Sequence, residues 1–187
     1  MLDGAKPSMS KKEIRNCMNM CECIRKKFHE NCSDNIKHYC VIMPASRNNI
    51  NTPSEMVAFG TNYNEQYKNM YSRHAEMDAL SKVNKLINIP KKVNLLVIKL
   101  TLDGSMSYSR PCYFCLFYLA RSNFNIKYVY YSNRSGGISK ELFNDMINSP
   151  LTYISSGERS RRNKNKFQLV MNKISYHTGN KNNKKII

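Results

Sequence analysis

Three side chains able to bind a metal and one able to move a proton stand in two short stretches of this 187-residue chain. His74 and Glu76 lie two residues apart, and Cys112 and Cys115 lie in the stretch PCYFC. Imidazole and thiolate groups are common ligands of Zn²⁺, and a catalytic zinc site keeps one position open for water. A carboxylate beside that water can take its proton. The four residues therefore predict a catalytic zinc centre for hydrolysis at an activated carbon; a closed structural zinc site and chance spacing are the alternatives.

Two helix N-termini must meet for these four residues to share one target. Residues two apart on a helix point to nearly opposite sides of its axis, so His74 and Glu76 can share a target only over the helix end. Ser72 is predicted to cap that helix. Cys112 and Cys115 are three residues apart and therefore lie on one face of a second helix. Exposed N–H groups at both helix ends favour thiolate over thiol at such a place.

Hydrophobic periodicity and turn signals predict the elements around the two motifs. Helices are predicted at 10–30, from Ser72 to about Asn88, from Pro111 to about Asn123, and at Lys140–Ile147. Strands are predicted at His38–Met43, Glu55–Thr61, Val93–Leu100, Ile126–Ser132 and Leu151–Ile154. The first two strands suit a hairpin, and the nearly continuous apolar run of the third suits a central strand covered on both faces. This order predicts an α/β fold: a three-layer α/β/α sandwich with a mixed, roughly five-stranded sheet.

The paired motifs HAE and PCxxC, in this order of elements, resemble the zinc-dependent cytidine/deoxycytidylate deaminase superfamily, which includes tRNA adenosine deaminases and polynucleotide cytidine deaminases. The resemblance covers roughly residues 10–154. It implies a cytidine deaminase-like fold, a Zn²⁺ cofactor, and a zinc hydroxide that attacks C4 of cytosine or C6 of adenine. It also implies that His74, Cys112 and Cys115 are the zinc ligands, that Glu76 is the proton shuttle, and that the protein forms homo-oligomers.

Five further residues are predicted to line the substrate pocket. Asn62 resembles the Asn that family members use to hold the sugar, although a plain loop residue is the alternative. Ala75 lies inside the HAE motif. Ser109 and Arg110 precede the zinc helix, and Arg110 either meets a phosphate or faces solvent. Tyr131 either stacks on a base at the end of its strand or packs against helices.

The function predicted from these residues is hydrolytic deamination of a cytosine nucleotide of the dCMP or cytidine type. One alternative is a polynucleotide deaminase that acts on RNA, tRNA or single-stranded DNA. Another is a non-catalytic protein with the deaminase fold that binds nucleic acid or takes part in particle assembly. The motifs leave cytosine versus adenine, and monomer versus polymer, open.

The formal net charge of +17 favours polyanionic partners such as nucleic acid, because a basic surface attracts them at long range. The chain also contains 20 Lys and 24 Asn, both encoded by A/T-rich codons, so genome composition is an alternative source of the charge. Residues 155–187 carry nine Lys or Arg against one Glu. We therefore predict a zinc-dependent deaminase domain at 1–154 and a basic, partly disordered C-terminal extension at 155–187 that can bind nucleic acid.

Cysteine usage and hydropathy indicate the compartment. Seven cysteines, an odd number, without a secretory signal favour reduced thiols and a cytoplasmic protein, or a nuclear or virion-associated one if it binds nucleic acid. No apolar run approaches 18 residues, so no membrane span is expected. Cys17, Cys21, Cys23 and Cys32 either form a second metal site or, for Cys17 and Cys21, pack in the core.

Overall fold

The computed structural model describes residues 7–29, 37–45, 56–64, 72–83, 90–123, 125–149 and 152–153. The chain divides into two compact units, 1–152 and 153–187, and all of the helices and strands described lie in the first. Its helices are α1 (Lys11–Ile24, continued by a π-helical turn at Arg25–His29), α2 (Ala75–Val83), α3 (Tyr113–Ala120) and α4 (Phe143–Asn148). Its strands are β1 (Lys37–Pro44), β2 (Ala58–Thr61), β3 (Tyr63–Asn64), β4 (Ser72–Arg73), β5 (Lys92–Leu100), β6 (Met106–Ser107), β7 (Asn125–Ser132) and β8 (Ile138–Leu142).

A mixed sheet in the order β2-β1-β5-β7-β8 forms the middle of the fold, and β6 adds to β5. The β1–β2 pair is antiparallel, which confirms the predicted hairpin. Strands β5 and β7 are parallel, and α3 lies between them in the chain. A parallel pair requires such a crossover connection. The loop before α3 contacts Ser132 at the carboxyl end of β7, so the start of α3, with its two cysteines, lies at that end of the sheet.

Two apolar cores cover the two faces of the sheet, and together they confirm the three-layer α/β/α arrangement. On one face, the sheet packs against buried residues of α1: Cys17, Met20, Cys21 and Ile24. On the other face, it packs against α2, α3 and α4 through residues that include Ala79, Leu116 and Met146. Consecutive residues of β5 alternate between the two cores, as predicted for a strand covered on both faces.

The first helix has a complete N-terminal cap and a buried cysteine pair. Ser10 Oγ accepts a hydrogen bond from the Glu13 N–H at 3.2 Å, and Glu13 Oε2 accepts one from the Ser10 N–H at 2.9 Å. Burial raises the pKa of the Cys21 thiol to about 12, so this thiol behaves as a small apolar side chain. Cys17 and Cys21 therefore pack in the core. Cys23 is half-buried, and Cys32 lies outside the described residues.

The predicted helix at Lys140–Ile147 is wrong over its first three residues, since Ile138–Leu142 forms β8 and α4 begins only at Phe143. The reason is tertiary: β8 completes a hairpin with β7, in which Tyr130 lies opposite Lys140. A turn closes this hairpin, with Gly136 at φ 76° and Asn133 Oδ1 accepting the Gly137 N–H at 2.9 Å. Of the predicted strand Leu151–Ile154, Thr152 and Tyr153 lie in no strand, and its other two residues lie outside the described part.

The described helices include none that combines the length and apolar character needed to cross a bilayer.

Candidate metal centre

The start of α2 carries His74 and Glu76, and it rests directly on β2. A Cβ added to Gly60 would lie 2.2 Å from the Ala75 carbonyl oxygen and 2.3 Å from the Ala79 nitrogen. Only glycine permits so close a backbone approach. The predicted Ser72 cap is wrong because α2 begins at Ala75, so the residue before the helix is His74, and Ser72 pairs with Asn64 in the β3–β4 ladder. The His74 carbonyl instead accepts the first helical N–H groups, those of Met77 and Asp78, each at 3.0 Å.

The start of α3 carries the two cysteines. Pro111 is the predicted first helical residue, but the helix begins two residues later, at Tyr113. Cys112 occupies the N-cap position with extended backbone, and Cys115 is the third helical residue. An N-cap residue and the third helical residue both border the exposed N–H groups of the first turn. This placement lets the two sulfurs lie together over the helix end.

The three predicted ligand atoms converge. His74 Nδ1 lies 3.2 Å from Cys115 Sγ and 3.5 Å from Cys112 Sγ, and the two sulfurs are 3.6 Å apart. Tetrahedral zinc with ordinary bond lengths places two sulfurs about 3.8 Å apart and a sulfur and a nitrogen about 3.6 Å apart. The observed separations therefore fit Zn²⁺. Among the described residues, this is the only group of three or more His, Cys, Asp or Glu side chains close enough to share a metal ion.

The two thiols differ in their proton affinity. A hydrogen bond between the sulfurs and the nearby His74 ring lower the pKa of Cys112 to about 5, against the opposing effect of burial. Burial raises the pKa of Cys115 well above its usual value. One thiol of the pair thus ionises easily and the other holds its proton. A divalent cation removes this asymmetry, because metal binding favours thiolate at every cysteine ligand.

Glu76 is buried beside the ligand cluster, with 5% of its surface exposed. Burial, helped by the charge of Cys112, raises its pKa to about 7, while the His74 ring and a hydrogen bond with Cys115 act in the opposite direction. The Glu76 carboxyl group therefore contacts Cys115, but it is not one of the three side chains that could share a metal ion. A carboxyl group that titrates near neutral pH can both accept and donate a proton.

Asp78 is a residue of the site that sequence reasoning missed. Its buried carboxylate accepts the Thr61 N–H at 3.1 Å and the Lys82 ammonium at 2.8 Å. Lys82 also donates to the Phe59 carbonyl at 2.9 Å. These bonds, together with the contact at Gly60, attach α2, the helix that carries Glu76, to β2. The Asp78–Lys82 spacing of four residues was a visible signal, since such pairs share a helix face.

Asn62 and Ala75 lie near the ligands in the chain, and the structure shows what they contact. Asn62 Oδ1 accepts the His38 N–H at 2.6 Å, and its own N–H donates to the His38 carbonyl at 3.1 Å. Asn62 lies between β2 and β3, and these two hydrogen bonds extend the β1–β2 hairpin. Ala75 is fully buried at the first turn of α2. Their contact with a substrate stays a prediction.

Ser109 is buried and joins the loop before α3 to two strands. Its hydroxyl donates to the Val97 carbonyl at 2.8 Å and accepts the Ser132 N–H at 2.9 Å. Its N–H donates to the Ser132 carbonyl at 2.9 Å. The loop that leads to Cys112 is thus held against the carboxyl end of β7. The described contacts of Ser109 give it a clear positioning role, and its contact with a substrate stays a prediction.

Arg110 does not face solvent, which corrects one of its two predicted surroundings: only 3% of its surface is exposed. Its Nη2 lies 3.1 Å from Glu141 Oε2, and Nε donates to the same carboxylate. Its Nη1 donates to Thr152 Oγ1 at 3.3 Å. Tyr131 is buried too, and its hydroxyl donates to Glu141. Glu141 therefore compensates Arg110, and sequence reasoning missed it because 31 residues separate the pair.

A cavity of about 390 Å³ opens beside this buried network. Its walls are Tyr108, Arg110, Tyr131, Asn133, Arg134, Ser135, Ser139 and Glu141. The Tyr108 and Tyr131 rings meet edge to face with centroids 6.0 Å apart. Of the five predicted pocket residues, the structure brings Arg110 and Tyr131 together in this cavity. Asn62 lies at the β2 side of the fold instead.

No family model matches this chain, and no curated protein matches it. Solved structures do resemble it. Three of these structures are of deaminases. dCMP deaminase from the cyanophage S-TIM5 is 17% identical in its apo form (TM-score 0.44; 78% of this chain, 98% of that one) and 16% identical in complex with dCMP and dUMP (TM-score 0.44; 79% and 98%). Cytidine deaminase from Burkholderia pseudomallei is 14% identical (TM-score 0.45; 78% and 100%). Identities and TM-scores this low carry no argument about this chain. The α/β architecture is therefore established from its own strand order and strand pairing.

Proposed function

We propose that this protein is a zinc-dependent deaminase that hydrolyses the amino group from a cytosine nucleotide of the dCMP or cytidine type. One observation carries the proposal: His74 Nδ1 and the sulfurs of Cys112 and Cys115 lie 3.2 to 3.6 Å from one another, beside the buried carboxyl group of Glu76. The HxE and PCxxC motifs that supply these residues are the signature of zinc deaminases of cytosine and adenine.

The donor set favours zinc over the other common metals. Two thiolates and one imidazole are soft and borderline ligands that suit zinc, whereas magnesium and calcium require oxygen ligands. His74, Cys112 and Cys115 would hold the ion. When bound, zinc supplies a Lewis acid that activates water for attack on a ring carbon. Because the described part of the chain places only three ligands in the cluster, the donor set favours an open catalytic site over a closed structural one.

Glu76 would handle the protons. Its position against Cys115 keeps the carboxyl group at the edge of the ligand cluster, where the amino group of a bound base would lie. The carboxylate would take one proton from the attacking water and deliver it to the ring nitrogen, and would then carry the second proton, from the hydroxyl group added to the ring carbon, to the departing amine. Its burial excludes bulk water, which would otherwise compete for these protons.

The remaining predicted residues would shape the pocket. Asn62 and Ala75 would border it from the side of β2 and α2, and Ser109, Arg110 and Tyr131 would border it from the β7 side. Assembly into homo-oligomers, a cytoplasmic location, and the division into a deaminase domain at 1–154 and a basic extension at 155–187 stay predictions from the sequence.

Ammonia release tests the function. Zinc-loaded protein would be assayed with cytosine and adenine nucleosides, nucleotides, and single-stranded DNA and RNA, with chelator-treated protein as the control. We expect ammonia from a cytosine nucleotide, and none after zinc is removed. Absence of ammonia from every substrate would refute the proposal and favour a non-catalytic protein with this fold.

A polynucleotide substrate is the second candidate, and the net charge of +17 favours it. Neutralised phosphates release counterions, so binding of a strand would weaken steeply with salt. Removal of residues 155–187, which carry nine basic residues, should then reduce affinity and salt dependence together. Oligonucleotide binding whose affinity changes with neither salt nor truncation would contradict this candidate.

A further inference from the structure

The cavity beside the metal centre shares a loop with it. Arg110 lines the cavity and precedes Cys112 by two residues, so their Cα atoms are at most about 7 Å apart. The double contact between Ser109 and Ser132 fixes this loop against the end of β7. Asn133, Arg134 and Ser135, in the turn after β7, also line the cavity. The same short loop therefore carries a ligand of the metal centre and part of the cavity wall.

Two arginines line this cavity, and they differ in what they can offer a ligand. The Arg110 guanidinium is buried, and Nε, Nη1 and Nη2 all donate to Glu141 or Thr152. Arg134 is exposed, and its guanidinium lies 5.5 Å from the centre of the Tyr108 ring. Within the described residues, no hydrogen bond or ion pair engages Arg134. Its donors are thus available, and the aromatic ring below holds the guanidinium in place.

The charge of the cavity points to an anionic ligand. Glu141 is the one acidic residue in the described wall, and Arg110 and Tyr131 already bind its carboxylate. Within that wall, the charge of Arg134 is therefore left without compensation. A guanidinium presents a planar fork of donors that matches the oxygens of a phosphate group. The Ser135 and Ser139 hydroxyls in the same wall are further polar groups for such a ligand.

We propose that Arg134 binds the phosphate of a pyrimidine nucleoside 5′-monophosphate and so makes the site select nucleotides over nucleosides. This inference rests on the proposed function, which it narrows to one substrate class. Arg110 has a different role, because it holds the Cys112 loop and the cavity wall in place through Glu141.

Substrate preference tests the assignment. The ratio of kcat/KM for dCMP to kcat/KM for deoxycytidine would be measured for the wild type, R134A, R134K and R121A. Arg121 is the matched control, because it is exposed and lies 5.2 Å from the centre of the Phe117 ring at the end of α3. We expect R134A to lower the ratio about 10- to 100-fold, because a charge-assisted hydrogen bond is lost. R134K should lose less, and R121A should keep the wild-type ratio.

Equal losses for dCMP and deoxycytidine in R134A, or the same drop in R121A, would overturn the assignment. Tighter binding of a deoxycytidine oligonucleotide than of dCMP to the wild type, with the same fold-loss of affinity in R134A, would also overturn the assignment. In that case Arg134 would bind a phosphate of a nucleic-acid strand.

Binding measurements separate this inference from the proposed function. Calorimetric titration of the zinc-loaded protein with dCMP and with deoxycytidine reports on Arg134 whether or not turnover occurs. A wild type that releases no ammonia refutes the function alone. A wild type that binds the two compounds equally refutes the role of Arg134 alone.

Discussion

The metal centre and the cavity beside it share the loop before α3, yet they are built in different ways. In the metal centre, each functional residue lies within two residues of the start of its own helix, at Ala75 or at Tyr113. In the cavity, the central ion pair joins Arg110 to a residue 31 positions later, on β8. Spacing along the chain brings the side chains of the metal centre together, whereas strand pairing brings those of the cavity together. The motifs therefore predict which side chains cluster, whereas the contacts that line the cavity follow only from the fold.

The largest expected effect comes from removing a ligand. C112S or C115S should weaken zinc binding by at least about 100-fold and abolish turnover, because a cysteine ligand contributes more than the outer partners whose loss costs about 10- to 100-fold. Zinc content after dialysis against a chelator measures this. C23S is the control, since Cys23 is also a free thiol but lies outside the cluster. Full zinc retention in both ligand variants would contradict the assigned centre.

A smaller effect is expected at the cavity wall, on stability. E141Q removes the countercharge of the buried Arg110, and breaking a buried ion pair from one side costs about 3 to 5 kcal/mol. E22Q is the control, because Glu22 is 49% exposed in its pair with Arg25 and such pairs contribute about 0 to 1 kcal/mol. Urea unfolding at pH 7 gives both free energies. Equal losses in the two variants would show that Arg110 has no structural role.

The contrast between the two regions explains which predictions succeeded. The clustering of His74, Cys112 and Cys115 could be predicted because the residue types and their spacing are themselves the signal. The strand Ile138–Leu142 was missed because its pairing with β7, and not its local pattern, makes it a strand. The burial of Arg110 could not be foreseen because Glu141 is remote in sequence. The hydroxyl group of Ser72 is typical of a helix cap, but the residue belongs to β4 and pairs with Asn64 of β3.

The smallest effect concerns the opposite face of the sheet, where Glu13 binds Lys140 at 2.7 Å and the Tyr130 hydroxyl at 3.0 Å. Burial alone would raise the pKa of Glu13, but these hydrogen bonds and the Ser10 N–H outweigh it and lower the pKa to about 2. The carboxylate therefore stabilises the folded state fully above its unfolded pKa of 4.5, and this contribution is lost as the pH falls toward about 2.

E13Q should remove this pH dependence. Relative to the wild type, the variant should lose on the order of 2 kcal/mol at neutral pH and progressively less between pH 4.5 and about 2. Thermal or urea unfolding across that range measures the difference. A constant difference at every pH would mean that packing, and not the charge of Glu13, is what the substitution removes.

Turnover of dCMP by wild type and E76Q at matched zinc content tests the central claim most directly. The two side chains have the same shape, so the variant should keep its zinc while the rate of dUMP formation falls about 10²- to 10⁴-fold, the usual contribution of a general acid–base group. Formation of dUMP at the wild-type rate by E76Q, or no dUMP from fully zinc-loaded wild type, would contradict a deaminase in which Glu76 transfers the protons.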